Sequence, residues 1–466
     1  MAKDARAMNL VLVSILVYIV LQLVIAFALT RKPGSESDYL LAGRRLGPWL
    51  ATFSVFATWF GAETCIGATA ETYAHGIAGA TTDPFGYATG LLLMGLLFAA
   101  TLWRRGLMTF ADLFAQRYGS GVEMLAALLM IPSGLLWAAA QMRAMGQVLA
   151  SVSEIGLLTA ITLAAVVVIV YTAFGGMWAD AVTDLVQGLV IVAGVLALAL
   201  IFFMHGGEQA LQAQAPERLD VFAERGHLEW LETFLMPVLS TVAAAELVAR
   251  VLAVRSPELA RNSTIAAAFL YLAIGFVPAL LGLGAAAAIG SDVDPEQVLS
   301  KYAQTMLPTP LYILLLGALV SAILSTLSGA LLVAGSLAAH NLVLRHRPQL
   351  PERTRLRANR IAVVLFGVLA YVLALSSEGM YELVQESSGF GSAGILVIML
   401  FALWAPKLGG APSAFAALLA SLGVYVAGNW IWEFPYPYFS SIAAALIAYL
   451  VFLPFARPLR TEASVA

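Results

Sequence analysis

Ser54-Val55-Phe56-Ala57-Thr58-Trp59-Phe60-Gly61-Ala62-Glu63-Thr64-Cys65-Ile66-Gly67 is the stretch on which the reading of this chain turns. It lies within an apolar run of about 46–72, and a helical bilayer crossing needs ~20 predominantly apolar residues. Two glycines, small polar residues and the carboxylate of Glu63 weaken a helix there and suit an unwound stretch. Inside a bilayer, non-helical backbone is tolerated only where it is buried in protein or lines a cavity. The stretch therefore predicts a broken membrane helix.

Working outward, thirteen apolar runs fill the chain: roughly 9–30, 46–72, 80–102, 122–152, 155–174, 179–204, 228–253, 261–290, 310–344, 355–377, 379–404, 409–430 and 436–456. They lack the alternation of barrel strands, so each reads as a helix. Hydrophobic residues make up 61% of the chain and charged residues 11%, with a mean hydropathy of +0.88. A water-soluble chain could not hide that much apolar surface, so an integral membrane protein is expected, with lipid as its solvent. The first run has no basic segment leading to a small-residue cleavage site and reads as a retained helix.

With the N-terminus outside and an odd number of crossings, 19 of the 25 Lys+Arg fall in inner segments, Arg250 among them. Excess positive charge marks the cytoplasmic side. The expected placement is an inner (plasma) membrane of a bacterium, N-terminus out and C-terminus in. The outer connections are 205–228, an acidic amphipathic stretch, and 290–310, with room for a short helix. A net charge of −3 gives no reason to expect a nucleic-acid partner. A single cysteine, Cys65, excludes an internal disulfide framework.

A second interruption is read in the seventh run, which holds Pro237, Ser240, Thr241 and a series of alanines. Interrupted helices at matching places in two halves point to a transporter's midplane site. In the ninth run, Ala322, Ser325 and Thr326 fall at i, i+3 and i+4 on one helix face. Two hydroxyls and a carbonyl offer neutral oxygen ligands suited to Na+ if the broken helix adds carbonyls. The alternative is ordinary hydroxyl bonding within the membrane bundle.

Several ordered motifs resemble the sodium:solute symporter family. They are Tyr39-Leu40-Leu41-Ala42-Gly43-Arg44-Arg45-Leu46-Gly47-Pro48, the run with Ala57 and Phe60, Tyr171-Thr172-Ala173-Phe174-Gly175-Gly176-Met177-Trp178, Thr183-Asp184-Leu185-Val186-Gln187, and the Ala322/Ser325/Thr326 triplet. The resemblance implies an all-α integral membrane fold of about thirteen helices with a leucine-transporter-type 5+5 inverted repeat. It divides the chain into 1–45 (peripheral helix and inner loop), 46–204 (first repeat), 205–227 (outer segment), 228–404 (second repeat) and 405–466 (two peripheral helices and a tail). It implies Na+ as coupling ion, held by the carbonyls of Ala57, Phe60 and Ala322 and the hydroxyls of Ser325 and Thr326. Asp184 matches a position that some members use for a further ion. The plainer alternative is a charge near water at the inner end of its helix.

Within the family, Ala57-Thr58-Trp59, Ala70-Glu71, Pro84-Phe85-Gly86-Tyr87 and Trp137-Ala138-Ala139-Ala140 resemble the choline carriers. That likeness implies that Trp59, Tyr87 and Trp137 line the solute cavity, where aromatic faces attract an organic cation. Where those carriers have a tryptophan in the seventh run, this chain has Ala244, with Glu246 just after it. Glu246 meets a cationic solute, accepts a proton, or pairs with Arg250 at i+4. Arg143 and Glu63 sit at similar depth and either pair, or Arg143 faces a carboxylate-bearing solute. Glu71 and Asp83 read as solvated groups at the outer edge. The five histidines show no ligand spacing.

The expectation is a sodium-coupled symporter importing a small polar organic solute, with membrane lipid as its surroundings and no obligate protein partner evident. The rivals are a proton-coupled carrier using Glu246 or Asp184, and a membrane sensor, which the lack of an output domain before Ala466 disfavours. No nucleophile motif, metal cluster or phosphate loop points to an enzyme.

Overall fold

The computed structural model describes residues 2–29, 33–151, 155–222, 226–376, 383, 387, 389 and 391–455. Among these, seven helices are long and apolar enough to cross a bilayer, and His227–Val242 with Ala245–Leu252 makes a pair bent by 41°. Leu10–Ala26, Ser392–Trp404 and Pro437–Val451 are shorter apolar helices. The early part of the 379–404 run lies largely outside the described residues.

Two of the long runs are not single rods. Glu63–Arg104 and Leu157–Met204 hold 42 and 48 residues; straight, each would reach about twice the ~30 Å of a bilayer core. The first bends at Gly76 (φ 67, ψ −154) and Asp83 (φ −131, ψ 122). The second breaks at Gly176, φ 63 and ψ −174. A Cβ there would meet the Tyr39 ring and carbonyl within 2.9 Å, so only glycine allows the approach. The Tyr39 hydroxyl in turn donates toward the carbonyls of Thr172 (3.3 Å) and Ala173 (3.2 Å), which the break deprives of helical donors.

The Thr309–Ser336 helix is the hub. It is buried on every side from Leu315 to Ser336 and packs on Leu157–Met204 and Ser120–Ser151. Small residues permit this closeness: a Cβ on Gly194 would lie 2.6 Å from the Ala318 Cβ. The outer helices do the reverse. Val13, Leu16, Val17, Val20 and Val24, like Ile361, Leu365, Val368 and Val372, turn bare apolar stripes outward. Continuous stripes of that kind mark lipid contact.

Each end has its own polar network. At one, here the basic end, the short helix Glu36–Leu41, N-capped by Ser35, meets His340, Arg355 and Asn359 through Glu36. Nearby, Arg345 pairs with Glu123 at 2.6 Å. At the opposite end, Gly207–Gln212 and Pro216–Leu219 occupy the 205–227 connection and Val298–Met306 the 290–310 connection. Arg218 fastens the first to the carbonyls of Thr72 (3.0 Å) and Tyr73 (2.9 Å).

Candidate functional site

The Pro48–Trp59 helix starts with proline in its first turn, where the missing N–H costs nothing. It ends because Phe60 leaves helical geometry (φ −83, ψ 83) and the Gly61 N–H turns back to the Trp59 carbonyl at 3.1 Å. The next amide, Ala62, donates to the Gln141 side chain at 3.1 Å. Ala57 and Thr58 therefore lose the i+4 donors that would occupy their carbonyls. Facing this break, the Ser325 hydroxyl donates to the Ala57 carbonyl at 2.6 Å and Thr326 donates to it at 3.4 Å. Ser325 also lies 3.1 Å from the Ala322 carbonyl.

The structure thus brings Ala57, Ala322, Ser325 and Thr326 together, all buried. Phe60 sits at the break itself, its ring 5.7 Å from that of Tyr271, and no hydrogen bond joins it to the hydroxyl pair. Neutral carbonyl and hydroxyl oxygens released from helix bonding are the ligands by which a bare alkali cation replaces its water. The donor set fits Na+.

Beside the break lies a cavity of about 690 Å³, counted to its open mouth. Trp59, Tyr87 and Trp137 form one wall, with the Trp137 ring 6.5 Å from Trp59 and 6.1 Å from Tyr87. The Trp59 indole N–H donates to Thr241 at 3.2 Å, which fixes its plane. All four solute residues read from the sequence, Trp59, Tyr87, Trp137 and Glu246, line this cavity, and so does Thr326. The second interruption borders it as well: the chain leaves helical geometry at Ala243 and Ala244, so methyl groups stand there.

Ser240 and Thr241, read from the sequence as part of the seventh-run interruption, also face the cavity; the hydroxyls of Thr58, Ser133 and Ser392, which face it too, were not singled out. A signal existed for one: Met130, Ser133, Gly134 and Trp137 share a helix face by their spacing.

Several expectations about charges are corrected. Arg250 does not pair with Glu246 and does not belong to an inner surface. It is 1% exposed and points inward, pairing with Asp180 and donating to Thr58 Oγ1 at 3.1 Å. Gly329 makes room, since a Cβ there would lie 2.6 Å from Arg250 Nη2. Asp184 is not near water either: it is 0% exposed, takes a 2.7 Å bond from Ser54 and lies 3.9 Å from Arg250. Its Oδ1 is buried with no hydrogen-bond partner. Asp180, which also accepts from Ser328 at 2.5 Å, escaped notice although Asp180 and Asp184 stand at i and i+4 in an apolar run.

Glu63 and Arg143 are not partners. Gln141 donates to Glu63 at 2.7 Å, while Arg143 donates to the Ala374 carbonyl at 3.1 Å. Equal depth placed them at one level, but they belong to different neighbourhoods. Asp83 is not solvated: it is 6% exposed and bonded by Thr64 and Tyr271. Among the described residues no group of His, Cys, Asp and Glu has the arrangement of a metal cluster.

A bundle with broken helices flanking an aromatic-walled cavity with a few polar groups is the architecture of a membrane transporter. The family model of the sodium:solute symporter family matches residues 39–420, and the chain belongs to that family. It is 28% identical over 411 residues to the high-affinity choline transporter 1 of Caenorhabditis elegans, a match covering 80% of this chain and 70% of that protein. It is 25% identical over 415 residues to the osmoregulated proline transporter OpuE of Bacillus subtilis, covering 84% of each. Among solved structures, a substrate-bound, outward-open Na+-coupled sialic acid symporter superposes with a TM-score of 0.84 at 17% identity, over 96% of this chain and 98% of that one. The fold is that of the leucine-transporter-type carriers.

Proposed function

We propose that this protein is a sodium-coupled secondary active transporter that imports a small polar organic solute by alternating access. The observation that carries the reading is the position of Thr326. Its hydroxyl reaches the Ala57 carbonyl across the helix break, and the same residue lines the aromatic cavity. Cation and solute then share a wall, and each can sense the other.

The sodium ligands in this reading are the carbonyls of Ala57, Phe60 and Ala322 with the hydroxyls of Ser325 and Thr326. Sodium ties the broken second run, in the repeat 46–204, to the ninth run, in the repeat 228–404. Its occupancy favours an outward-open state that accepts solute, and joint occupancy permits rocking to the inward-open state. An ion shifts such an equilibrium only by its differential affinity for the two states. Linkage then requires solute to tighten sodium by the factor with which sodium tightens solute. The Oδ1 of Asp184, buried without a hydrogen-bond partner, supports a second sodium position, since Arg250 approaches the other oxygen, Oδ2, and only to 3.9 Å.

The solute is read as small and polar, met by Trp59, Tyr87 and Trp137 on one side and Glu246 with hydroxyls on the other. The relatives named for choline and proline put small quaternary ammonium and amino-acid solutes first in any screen. Thirteen crossings are read from the apolar runs, and the charge bias supports an odd number with the basic end cytoplasmic; with Arg250 buried, 18 of the 25 Lys+Arg remain on that side.

The test is thermal unfolding of the purified protein with choline, betaine, proline, other amino acids, monocarboxylates and sugars, in Na+ and in K+. A ligand at 100 times its Kd stabilises the native state by about 2.7 kcal/mol. The cognate solute should stabilise strongly in Na+ and weakly in K+. Uptake that persists without sodium and stops when the pH gradient is collapsed would transfer the coupling to protons.

A further inference from the structure

Away from the solute cavity, toward the end opposite the basic one, three oxygen-bearing side chains meet in a closed triangle. Thr64 Oγ1 lies 2.8 Å from Asp83 Oδ2, the Tyr271 hydroxyl lies 2.9 Å from Asp83 Oδ1, and Thr64 Oγ1 lies 2.8 Å from the Tyr271 hydroxyl. All three residues are buried. Each belongs to a different element: Thr64 to the segment just past the Phe60 break, Asp83 to the Thr81–Gly86 turn, and Tyr271 to the Pro257–Gly284 helix.

Counting hydrogens decides the chemistry. A hydroxyl brings one proton, so Thr64 and Tyr271 supply two protons for three contacts. With Asp83 ionised, one contact sets lone pair against lone pair at hydrogen-bond distance. With Asp83 protonated, three protons serve three contacts: Asp83 donates to Tyr271, Tyr271 to Thr64, and Thr64 back to the other Asp83 oxygen.

A second observation points the same way. Glu63, adjacent to Thr64, is also buried, and its Oε1 accepts no hydrogen bond. The titratable groups facing this site are Glu63, Cys65, Tyr87 and Tyr271. Among the described residues, no Arg, Lys or His lies within ion-pair distance of either carboxylate. Two buried carboxylates without a cation cannot both remain ionised cheaply in a membrane interior.

We propose that Asp83 is a proton-binding site, and that its protonated ring with Thr64 and Tyr271 latches the Pro257–Gly284 helix to the half-helix beyond the Phe60 break. Loss of the proton leaves two hydrogens for three contacts, so the ring opens and the latch releases. The site is separate from the sodium ligands and stands whether or not the sodium reading does.

Infrared spectroscopy of the protein in lipid nanodiscs, titrated with pH, tests this. The wild type should show a buried carboxylic-acid carbonyl band that disappears on raising pH and is absent in Asp83→Asn. Tyr271→Phe keeps the bulk but removes one member of the ring, so the midpoint of the band should move by about one pH unit or more. Cys65, the only cysteine of the chain, gives a second readout beside Thr64. Its alkylation rate, divided by that of the denatured protein at the same pH, should rise about tenfold above the infrared midpoint in the wild type and stay flat in Asp83→Asn. A band that persists in Asp83→Asn, or a midpoint unmoved in Tyr271→Phe, overturns the proposal. So does a band that sodium abolishes at constant pH, which would make the ring a sodium site.

Discussion

The Ser325 hydroxyl donates to the Ala57 carbonyl over 2.6 Å, and that carbonyl is one the turn at Gly61 has taken out of its helix. Neither half suffices alone. An intact helix would occupy the carbonyl with the Gly61 amide, and a hydroxyl on a lipid-facing surface would bond back to its own helix. The break and the buried hydroxyl face are complementary features of two segments more than 260 residues apart.

Ser325→Ala and Thr326→Ala should each raise the sodium concentration for half-maximal uptake by about tenfold or more, since a bond to a charged group contributes roughly 1.5–3 kcal/mol. Expression should hold, because each change removes one oxygen from a small residue. Uptake against sodium concentration is the measurement, and an unchanged half-saturation in both variants argues against the assigned ligands.

The break at Phe60 was legible because glycine and a carboxylate interrupt an apolar run. The second was legible as an interruption of the seventh run, but its place along that run was not. The sequence draws the eye to Pro237, yet that proline stays inside its helix, with its ring against Gly86, where a Cβ would come within 2.5 Å. The chain bends instead at Ala243–Ala244, among residues of the highest helix propensity, so the bend comes from packing rather than from local preference. Charge partners were equally hidden. Depth along a span is one coordinate, whereas pairing Arg250 with Asp180 needs the helix face as well, and one apolar sequence does not reveal it.

Arg250→Met should be the most destabilising of the single changes considered. It leaves Asp180 and Asp184 buried without their cation, and breaking a buried pair from one side costs about 3–5 kcal/mol. Asp180→Asn combined with Arg250→Met should recover part of the loss. Melting of the detergent-purified proteins, with Asp180→Asn alone beside them, gives the comparison; a double variant whose loss equals the sum of the two single losses would mean the pair is not coupled.

Trp59→Ala should weaken solute binding by roughly 2–30-fold if the solute is cationic, the span expected for one cation–π contact of ~0.5–2 kcal/mol. Trp59→Phe keeps an aromatic face but loses the N–H bond to Thr241, so it should fall between. Titration of the solute at saturating sodium measures both. A solute indifferent to Trp59→Ala does not rest on this wall.

At the basic end, burial pushes the Glu36 carboxyl upward, but His340, through hydrogen bond and charge, with Arg355 and Asn359, outweighs it and holds the group below its ordinary 4.5. A carboxyl depressed in the folded state stabilises it above the unfolded value and loses that contribution as pH falls through the folded one. The Glu36 carboxylate's contribution should therefore be complete at pH 7 and be lost on acidification below 4.5. Glu36→Gln should lower the neutral-pH melting temperature by a few degrees and flatten its decline on the acid side. Melting curves from neutral to acid pH for both proteins decide it.

Gly134→Ala separates cavity shape from stability. The glycine lies within the Ser120–Ser151 helix, where alanine is favoured by about 1 kcal/mol. A Cβ there would sit 2.9 Å from Glu246 Oε1 and 3.7 Å from the Ala334 Cβ. The nearest atom is the end of a flexible side chain, so Glu246 moves and the fold stays. Melting temperature should hold or rise, while solute affinity drops about tenfold, because the carboxylate is displaced and the wall advances by a methyl group. Stabilisation by sodium alone should not change, since Ala57, Ser325 and Thr326 are untouched. Paired melts with sodium and with sodium plus solute resolve the two effects, and parallel loss of both would place Gly134 in the framework rather than in the solute site.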